Sequence, residues 1–415
     1  MAGADIAITI AAMGGIALLT IRLARKLGWP LPTLLLIGGF AGSEALVAAG
    51  VDTGLRWYNL RELVYSVLLP LLVYETAFRL NANALLHVIG TVLLLAVPLM
   101  LLEVLIAAAM LWFGIGDAGA FPLVAALIGA ALISTNDPAA VDRVLEGVDA
   151  TPRCRLMLEG ESLFNSILAL VLVSLALHVE LHGARLGDGI SFLEGFTYFV
   201  RLFSGGILLG FVTGLAGWLL LHHVRLPMLR AVVSVLIAYG VWFLADRLAN
   251  VSGVVAVLTA GLLLNAFAQR TDPASRGLLR ACWEHAGNLA SIVLFLLLGM
   301  SVWLPLLQTQ WRAAMLGIAA ALLSRAVMIY GGLGLWSRMA EDAAVPPRER
   351  TPLFLGGIKG AVTVALLFSL PPDLHYGNTL QAIVYGVLLF SLLVQAPALR
   401  LLLRRPAAQG SLPSG

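Results

Sequence analysis

The sequence predicts an all-α protein that crosses a membrane many times, and three observations support this fold class. Hydrophobic residues make up 60% of the 415-residue chain and charged residues only 12%, whereas about a quarter of the residues in soluble domains are charged. The long apolar runs have the length that a helix needs to cross about 30 Å of hydrocarbon. Two of these runs contain residues that break helices.

Thirteen apolar runs are long enough to cross a membrane as helices. The first has no basic lead and no clear cleavage site, so we expect it to be retained rather than removed as a signal peptide. The predicted segments lie at about 5–22, 29–50, 60–79, 85–113, 120–146, 160–180, 195–221, 227–246, 250–268, 278–303, 312–337, 351–370 and 377–403.

The segments predict one membrane domain over residues 1–406 and a short cytoplasmic tail at 407–415. Two halves of six helices, at about 5–180 and 227–403, flank a linking helix at 195–221. The two interrupted segments are the fifth and the twelfth, and their odd offset makes them run in opposite directions. We therefore expect the halves to be inverted repeats whose discontinuous helices cross.

The basic residues predict the orientation. Loops on the side of the C-terminus carry eighteen Lys and Arg residues, and loops on the other side carry six. Because cytoplasmic loops are rich in Lys and Arg, we expect a multi-pass protein of the cell inner membrane with its N-terminus outside and its C-terminus in the cytoplasm. No basic patch with interleaved aromatics indicates nucleic-acid binding, and two distant cysteines indicate neither a disulfide framework nor a metal site.

The interrupted segments indicate a transport site. The fifth reads ALIGAALISTNDPAAV, in which Pro138 follows Asn136 and Asp137, and the twelfth reads FLGGIKGAVTVALLF, in which glycines surround Lys359. Proline blocks a helical hydrogen bond and glycine weakens a helix. Discontinuous helices at corresponding positions of two inverted halves form the substrate site of many secondary transporters.

Ionisable residues inside the segments are candidates for function, because a charge near the bilayer centre costs at least ~2.5–3.5 kcal/mol. These candidates are Glu75, Glu103, Asp137, Glu161, Arg325 and Lys359.

Asp137 and Lys359 would neutralise the exposed dipole ends of the broken helices; the alternative is that both lie near the water interface. Glu161 and Arg325 are expected to form a buried ion pair, for which a scaffold role is favoured over direct contact with a substrate.

Glu75 and Glu103 each have two interpretations. Glu75 precedes Arg79 by four residues, so it is either an ordinary helix pair or a cation ligand reached from the cytoplasm. Glu103 is either a proton-active group or faces a partner helix, and the local sequence does not decide between them.

Uncharged oxygens complete the candidate site. Ser162 and Asn165 follow Glu161, and Ser134 and Thr135 precede the break in the fifth segment. Hard monovalent cations take carboxylate, carbonyl and hydroxyl ligands. The alternative is that these small polar residues mediate helix packing in lipid.

Taken together, these motifs make the chain resemble the monovalent cation:proton antiporter-1 family, the sodium/proton exchangers. The resemblance extends along most of the chain and implies an inverted-repeat antiporter fold, a homodimer and no cofactor. It rests on LLPLLVYETAF, LISTNDPAAV, EGESLFNS, VSGVVAVLTAGLLL, WEHAGNLASIVLFLLLGM, SRAVMIY and GGIKGAVTVALLFSLP, which follow the family's order and approximate spacing.

The resemblance also implies roles for single residues. Glu161 and Arg325 match the family's core salt bridge, and Asp137 matches the aspartate of the fifth-helix break. The candidate cation and proton site consists of Glu75, Asn136, Asp137, Ser162, Asn165 and Ser166. The candidate sodium ligands among them are Glu75, Asn136, Ser162 and Ser166.

Three residues depart from the family's pattern. Lys359 stands where an arginine is more usual, and Asn136 replaces a threonine or small residue. Ser166 replaces the aspartate that is the family's principal sodium and proton ligand. Because serine does not ionise near neutral pH, an antiporter would need another acid. Glu75 or Asp137 is nearest in the motifs, and Glu103 is a more distant alternative.

The sequence therefore predicts a secondary transporter, not an enzyme, that exchanges a monovalent cation, sodium first, for protons by alternating access at an atypical site. The alternative is an uncoupled or transport-inactive homologue, natural or engineered, that keeps the fold. An intramembrane hydrolase using Ser162 or Ser166 is disfavoured, because it needs a buried histidine or lysine beside the serine.

Overall fold

The structure is a computed structural model, and the part of the chain that it describes is helical and contains no strand. The described residues are 3–27, 29–48, 62–79, 85, 87–116, 121–145, 148, 150–181, 192–224, 226–270, 273–302, 304–339, 345–371 and 373–403.

Each of the thirteen predicted segments corresponds to a helix or to a pair of half-helices. The prediction of an all-α protein with two discontinuous helices is thereby confirmed. The helices are α1 Gly3–Leu27, α2 Leu31–Ala48, α3 Val64–Leu68 with Leu69–Arg79, α4 Ile89–Ile115, α5a Leu123–Ser134, α5b Pro138–Leu145, α6 Pro152–Leu181, α7 Phe192–His223, α8 Pro227–Ala249, α9 Gly253–Ala268, α10 Pro273–Ser301, α11 Trp311–Met339, α12a Pro347–Leu355, α12b Ala361–Ser369 and α13 Gly377–Leu403. A short additional helix, Leu304–Thr309, lies between α10 and α11.

Several predicted starts were wrong in the same direction. Helix α6 begins at Pro152 instead of about residue 160, and α10 begins at Pro273 instead of about 278. Both first turns carry polar and basic side chains that interrupt the apolar run without interrupting the helix. Proline suits the first position of a helix because the missing amide would have no helical partner there.

The helices divide into an exposed set and a buried set, as expected for a bundle in lipid. Seven of the described helices are long and apolar enough to cross a membrane by length and composition. Helix α7 exposes large apolar side chains such as Leu208 and Phe211, whereas most of α6 is buried. The seven long helices are α4, α6, α7, α8, α10, α11 and α13.

Small residues let neighbouring helices approach closely. Helix α2 packs on α10, where a Cβ at Gly39 would collide with the Leu296 carbonyl oxygen and one at Gly299 with that of Leu36. Close backbone approach at glycine is typical of helix pairs in membranes, where dispersion contacts drive association.

The central helices surround the breaks of α5 and α12. Helix α4 packs on α5a and α11, α6 packs on both parts of α5, and α13 packs on α11 and α5a. The inverted arrangement of the halves, the limits of the membrane domain and the linking role of α7 stay predictions.

π-helical turns lie beside the breaks. In α11 the turn Val327–Gly332 begins two residues after Arg325, and in α13 the turn Ser391–Gln395 places the Ser391 hydroxyl 2.9 Å from the Lys359 amide nitrogen. Such turns displace a helix locally and are frequent at functional sites. Here Ser391 accepts a hydrogen bond from an amide that the break in α12 leaves without a helical partner.

Candidate ion site

Asp137 joins the two broken helices at their crossing. Its Oδ1 accepts a hydrogen bond from the Ala140 amide at 3.2 Å, in the first turn of α5b, and its Oδ2 accepts one from the Ala361 amide at the start of α12b. The Asp137 amide donates to the Ile358 carbonyl oxygen at 2.9 Å. One carboxylate therefore caps two helix N-termini, where negative charge is stabilised by the helix dipole.

Arg325 satisfies the opposite end of the break in α12. Its Nε and Nη2 donate to the carbonyl oxygens of Phe354 and Leu353 at 3.0 and 2.7 Å, at the C-terminal end of α12a. The same guanidinium forms a two-pronged ion pair with Glu161, with Nη1 and Nη2 at 2.8 and 3.3 Å from Oε1 and Oε2. The structure thus brings together the predicted pair and adds a contact with α12a that the sequence analysis did not anticipate.

Glu161 organises two asparagines around the site. Its Oε1 accepts from the Nδ2 atoms of Asn136 and Asn165 at 3.0 and 3.3 Å. The Nζ of Lys359 donates to the Oδ1 of Asn136 at 2.9 Å. Asn136 therefore links Glu161 on α6 to Lys359 in the break of α12, and all of these side chains are buried.

Ser166 lies against the break in α5. Its hydroxyl is within hydrogen-bond distance of two acceptors, the Asn136 carbonyl oxygen at 2.7 Å and the Ser162 carbonyl oxygen at 2.8 Å. Ser166 is 8% exposed, more than Ser162, Asn165 or Asn136, which are nearly inaccessible. It is the member of this group that water reaches most readily.

Three buried oxygens near the break have no hydrogen-bond partner among the described residues: Ser134 Oγ, Ser162 Oγ and Asn165 Oδ1. A buried polar atom without a partner costs free energy, so in native structures such atoms usually meet water, an ion or a ligand. Together with the carbonyl oxygens at the break, these atoms are suitable ligands for a small hard cation.

Glu75 lies on another side of the bundle. It forms an ion pair with Arg79 one turn along α3, and its side chain packs against Gly287 of α10. Arg79 Nη2 donates to Asn288 Oδ1 at 3.2 Å. The structure therefore places Glu75 at the interface of α3 and α10, whereas Asn136, Ser162, Asn165 and Ser166 gather between α5 and α6.

Glu103 enters the network from α4. It is fully buried, and its Oε2 lies 3.8 Å from Arg325 Nη1. Neither carboxylate oxygen has a hydrogen-bond partner among the described residues. A carboxylate in the apolar run MLLEVLIAAAM was the only signal in the sequence, and it did not reveal which helix the side chain faces.

A polar cavity of about 520 Å³ lies near the site, between α6, α8 and α12b. Leu170, Ser174 and Leu177 of α6 line it, one to three turns beyond Ser166, with Ser369 of α12b opposite. Asp246 and Glu62 add carboxylates to its wall, and Tyr65 donates to Asp246 at 2.8 Å. Leu170, the lining residue nearest to Ser166 along α6, places the cavity one helical turn from Ser166.

The architecture and these motifs decide the family. The family described as "Sodium/hydrogen exchanger, transmembrane" matches residues 12–405. The chain belongs to the sodium/hydrogen exchanger family. The predicted resemblance is thereby confirmed, and with it the prediction that the chain is a multi-pass membrane transporter rather than an enzyme.

Curated relatives of this exchanger include bacterial antiporters. It is 30% identical over 383 residues to the low-affinity Na+/H+ antiporter NhaS1 of Synechocystis sp., a match that covers 91% of this chain and 69% of that protein. It is also 30% identical to the Na+/H+ antiporter ApNhaP of Aphanothece halophytica, covering 83% of this chain and 66% of the relative. The exchanger spans about two thirds of the length of these relatives.

A solved structure has the same fold. The sodium proton antiporter MjNhaP1 of Methanocaldococcus jannaschii at pH 8 superposes with a TM-score of 0.78 at 20% identity, covering 96% of this chain and 99% of that one. A second structure of the same protein gives a TM-score of 0.75. The predicted antiporter fold is therefore confirmed.

Removing the double cap at the crossing is expected to destabilise the exchanger. In Asp137→Ala two helix N-termini lose their acceptor, and we expect a loss of about 1–4 kcal/mol, since one cap is worth about 0.5–2 kcal/mol. Asp137→Asn keeps one side-chain oxygen, so its stability should lie between those of the unmodified protein and Asp137→Ala. Thermal unfolding of the purified protein in detergent measures the order.

The exposed Asp373, just before α13, provides the matched control. Asp373→Ala should unfold within a degree or two of the unmodified protein, because exposed substitutions away from caps usually change stability by less than about 0.5 kcal/mol. Equal melting temperatures for Asp137→Ala and Asp373→Ala would show that the cap does not stabilise the crossing.

Proposed function

We propose that this exchanger transports a monovalent cation, sodium first, in exchange for protons by alternating access, at a site that lacks the usual aspartate because Ser166 occupies its position. The observation that carries the proposal is the set of unpartnered buried oxygens beside the break in α5. The names of the relatives, which are Na+/H+ antiporters, support the same assignment.

The ligands of the cation are oxygens of α5 and α6. The Asn136 carbonyl oxygen and the Ser162 and Ser166 hydroxyls belong to this set, with Asn165 Oδ1 beside them. A hydroxyl that donates to a carbonyl keeps its oxygen lone pairs, so Ser166 would bind the cation through its oxygen while its O–H still donates a hydrogen bond. Glu75 lies apart from this set, on α3, and is a separate candidate ligand. A cation that arrives there would compete with Arg79 for the carboxylate.

The arrangement suits a low-affinity site. Neutral oxygens coordinate a cation more weakly than a carboxylate does, because they bring no negative charge to offset its lost hydration. Weak binding is compatible with transport, since an ion must leave on the other side of the membrane as readily as it enters.

The proposal also includes the location and orientation of the protein. We propose that it lies in the cell inner membrane with its N-terminus outside and its C-terminus in the cytoplasm, as the basic residues predict. One membrane domain over 1–406 works as a homodimer without a cofactor, and α7 links two inverted halves.

Tracer uptake tests the proposal. In proteoliposomes that are acidic inside, radioactive sodium should accumulate in response to the outward proton gradient, and accumulation should stop when a protonophore together with a potassium ionophore collapses that gradient. The double variant Ser162→Ala/Ser166→Ala removes two hydroxyl ligands. Its half-saturating sodium concentration should rise at least about tenfold, a loss of about 1.4 kcal/mol of binding free energy.

Ser369→Ala is the matched control, because this serine lines the cavity and its hydroxyl already bonds the Leu366 carbonyl oxygen at 2.7 Å. Its half-saturating concentration should match that of the unmodified protein. Uptake that ignores the pH gradient would contradict exchange and favour the uncoupled homologue.

A further inference from the structure

We propose that Glu103 carries the exchanged proton: it is protonated while the cation site is empty and ionised while a cation is bound. This inference rests on the proposed function and assigns the acid that Ser166 cannot supply. It also differs from the expectation drawn from the motifs, which point to Glu75 or Asp137. Three features of the buried network support it.

The first feature is that Glu103 is the carboxylate with the fewest contacts in the network. Asp137 accepts two backbone hydrogen bonds, and Glu161 accepts from Arg325 and two asparagines. Glu103 is fully buried, has no hydrogen bond among the described residues, and has one charged neighbour at 3.8 Å. A buried carboxylate without hydrogen bonds favours its neutral form, because burial penalises charge.

The second feature is the charge balance of the network. Asp137, Glu161 and Glu103 are three acids, and Arg325 and Lys359 are two bases, all buried. With these groups ionised the network carries one excess negative charge, and either one proton on Glu103 or one bound monovalent cation cancels it. Both together would leave an excess positive charge in a buried site, which is costly. Proton and cation therefore exclude each other, which is the requirement for exchange.

The third feature is a physical link between Glu103 and the cation ligands. Arg325 Nη1 faces both carboxylates, at 2.8 Å from Glu161 and 3.8 Å from Glu103. Glu161 in turn holds the amide groups of Asn136 and Asn165, which orient oxygens of the cation site. When Glu103 ionises, it attracts Arg325 and weakens the ion pair between Arg325 and Glu161. The hydrogen bonds that Glu161 accepts from the two asparagines change as a result.

The groups that face Glu103 are accounted for on each neighbouring helix. Helix α5a carries no titratable side chain, α11 contributes Arg325, α6 contributes Glu161, and the break in α12 contributes Lys359.

The proton-transfer step is balanced: the Glu103 O–H bond breaks, the carboxylate keeps the electron pair, and the proton leaves to water as one cation enters.

Infrared difference spectroscopy of the purified protein in lipid tests the proposal. A buried protonated carboxyl has a carbonyl band separate from that of a carboxylate. We expect the unmodified protein to show such a band at acidic pH without sodium and to lose it when sodium is added. Sodium should lower the midpoint pH of this band, by about one pH unit for each tenfold rise in sodium above its dissociation constant. Glu103→Gln should lack the band even without sodium.

The matched control is Glu349→Gln, since Glu349 is also buried but bonds Thr151 at the start of α6, at 3.0 Å. Its sodium-sensitive band should be unchanged. A sodium-sensitive band that persists in Glu103→Gln would overturn the proposal in favour of another acid. Failure of Glu103→Gln to fold would also overturn it, because the proposal requires that the network tolerate a neutral group at this position.

The outcome is separable from that of the proposed function. Gradient-driven sodium uptake by the unmodified protein, combined with a carboxyl band that does not respond to sodium, would leave exchange intact and remove Glu103 from it. Absence of both uptake and a sodium-sensitive band would contradict both proposals.

Discussion

Replacing Arg325 by methionine is expected to cost about 3–5 kcal/mol of stability, because it leaves the Glu161 carboxylate buried without its cation. The change also removes two hydrogen bonds to the C-terminal end of α12a, from Nε and Nη2. The purified variant should unfold many degrees below the unmodified protein, or yield little folded protein. Thermal unfolding and size-exclusion chromatography in detergent measure the effect.

Two further variants distinguish the effect of losing the ion pair from a general destabilisation of the helix. Arg338→Met, at an exposed position on the same helix, should unfold like the unmodified protein. The double variant Arg325→Met/Glu161→Gln removes both charges and should regain part of the loss, since a buried pair replaced as a whole is far less costly than one broken pair. A double variant at least as unstable as Arg325→Met would show that the pair is not the source of the effect.

Replacing Ser166 by aspartate, the residue that the resemblance predicts at this position, is the second change with a large expected effect. The Ser166 hydroxyl lies between two carbonyl oxygens, those of Asn136 and Ser162. In Ser166→Asp an ionised carboxylate would face both acceptors and be repelled, unless a proton or a cation lies between them. We therefore expect the sodium affinity to rise at least about tenfold, which corresponds to 1.4 kcal/mol.

Sodium titration of the melting temperature measures this change, because a ligand that binds the folded state stabilises it by an amount that grows with the logarithm of its concentration relative to its dissociation constant. Ser166→Asp should also unfold more easily than the unmodified protein at alkaline pH without sodium. Ser166→Asn, of similar size but unable to ionise, should keep the sodium response of the unmodified protein. An equal gain in Ser166→Asn and Ser166→Asp would show that charge is not what the position lacks.

The fold could be predicted from the sequence because its determinants are local. Apolar runs of membrane-spanning length mark the helices, and Pro138 and the glycines around Lys359 mark the two breaks. Helix starts were less accurate, since polar first turns such as that of α6 read as loops. The side on which each helix packs depends on crossing geometry, which the apolar runs do not contain.

In the site, too, local motifs could be recognised in the sequence, whereas contacts that depend on packing could not. Its motifs identified Asp137, Glu161 and Arg325, and charge pairing predicted that the last two would meet. The contact of Arg325 with the carbonyl oxygens of α12a was missed, because it depends on where the half-helix ends in space. Glu103 was recognised as a buried acid but could not be placed, since a single carboxylate in an apolar run is compatible with any facing helix.

Proton movement by the unmodified protein tests the central claim most directly. Proteoliposomes holding the exchanger and a pH-sensitive dye would receive pulses of sodium outside, with choline at equal ionic strength as the reference. We expect sodium to make the interior more alkaline as protons leave in exchange, choline to have no such effect, and Glu103→Gln to abolish the response. A sodium pulse that leaves the internal pH unchanged in folded, unmodified protein would contradict the account.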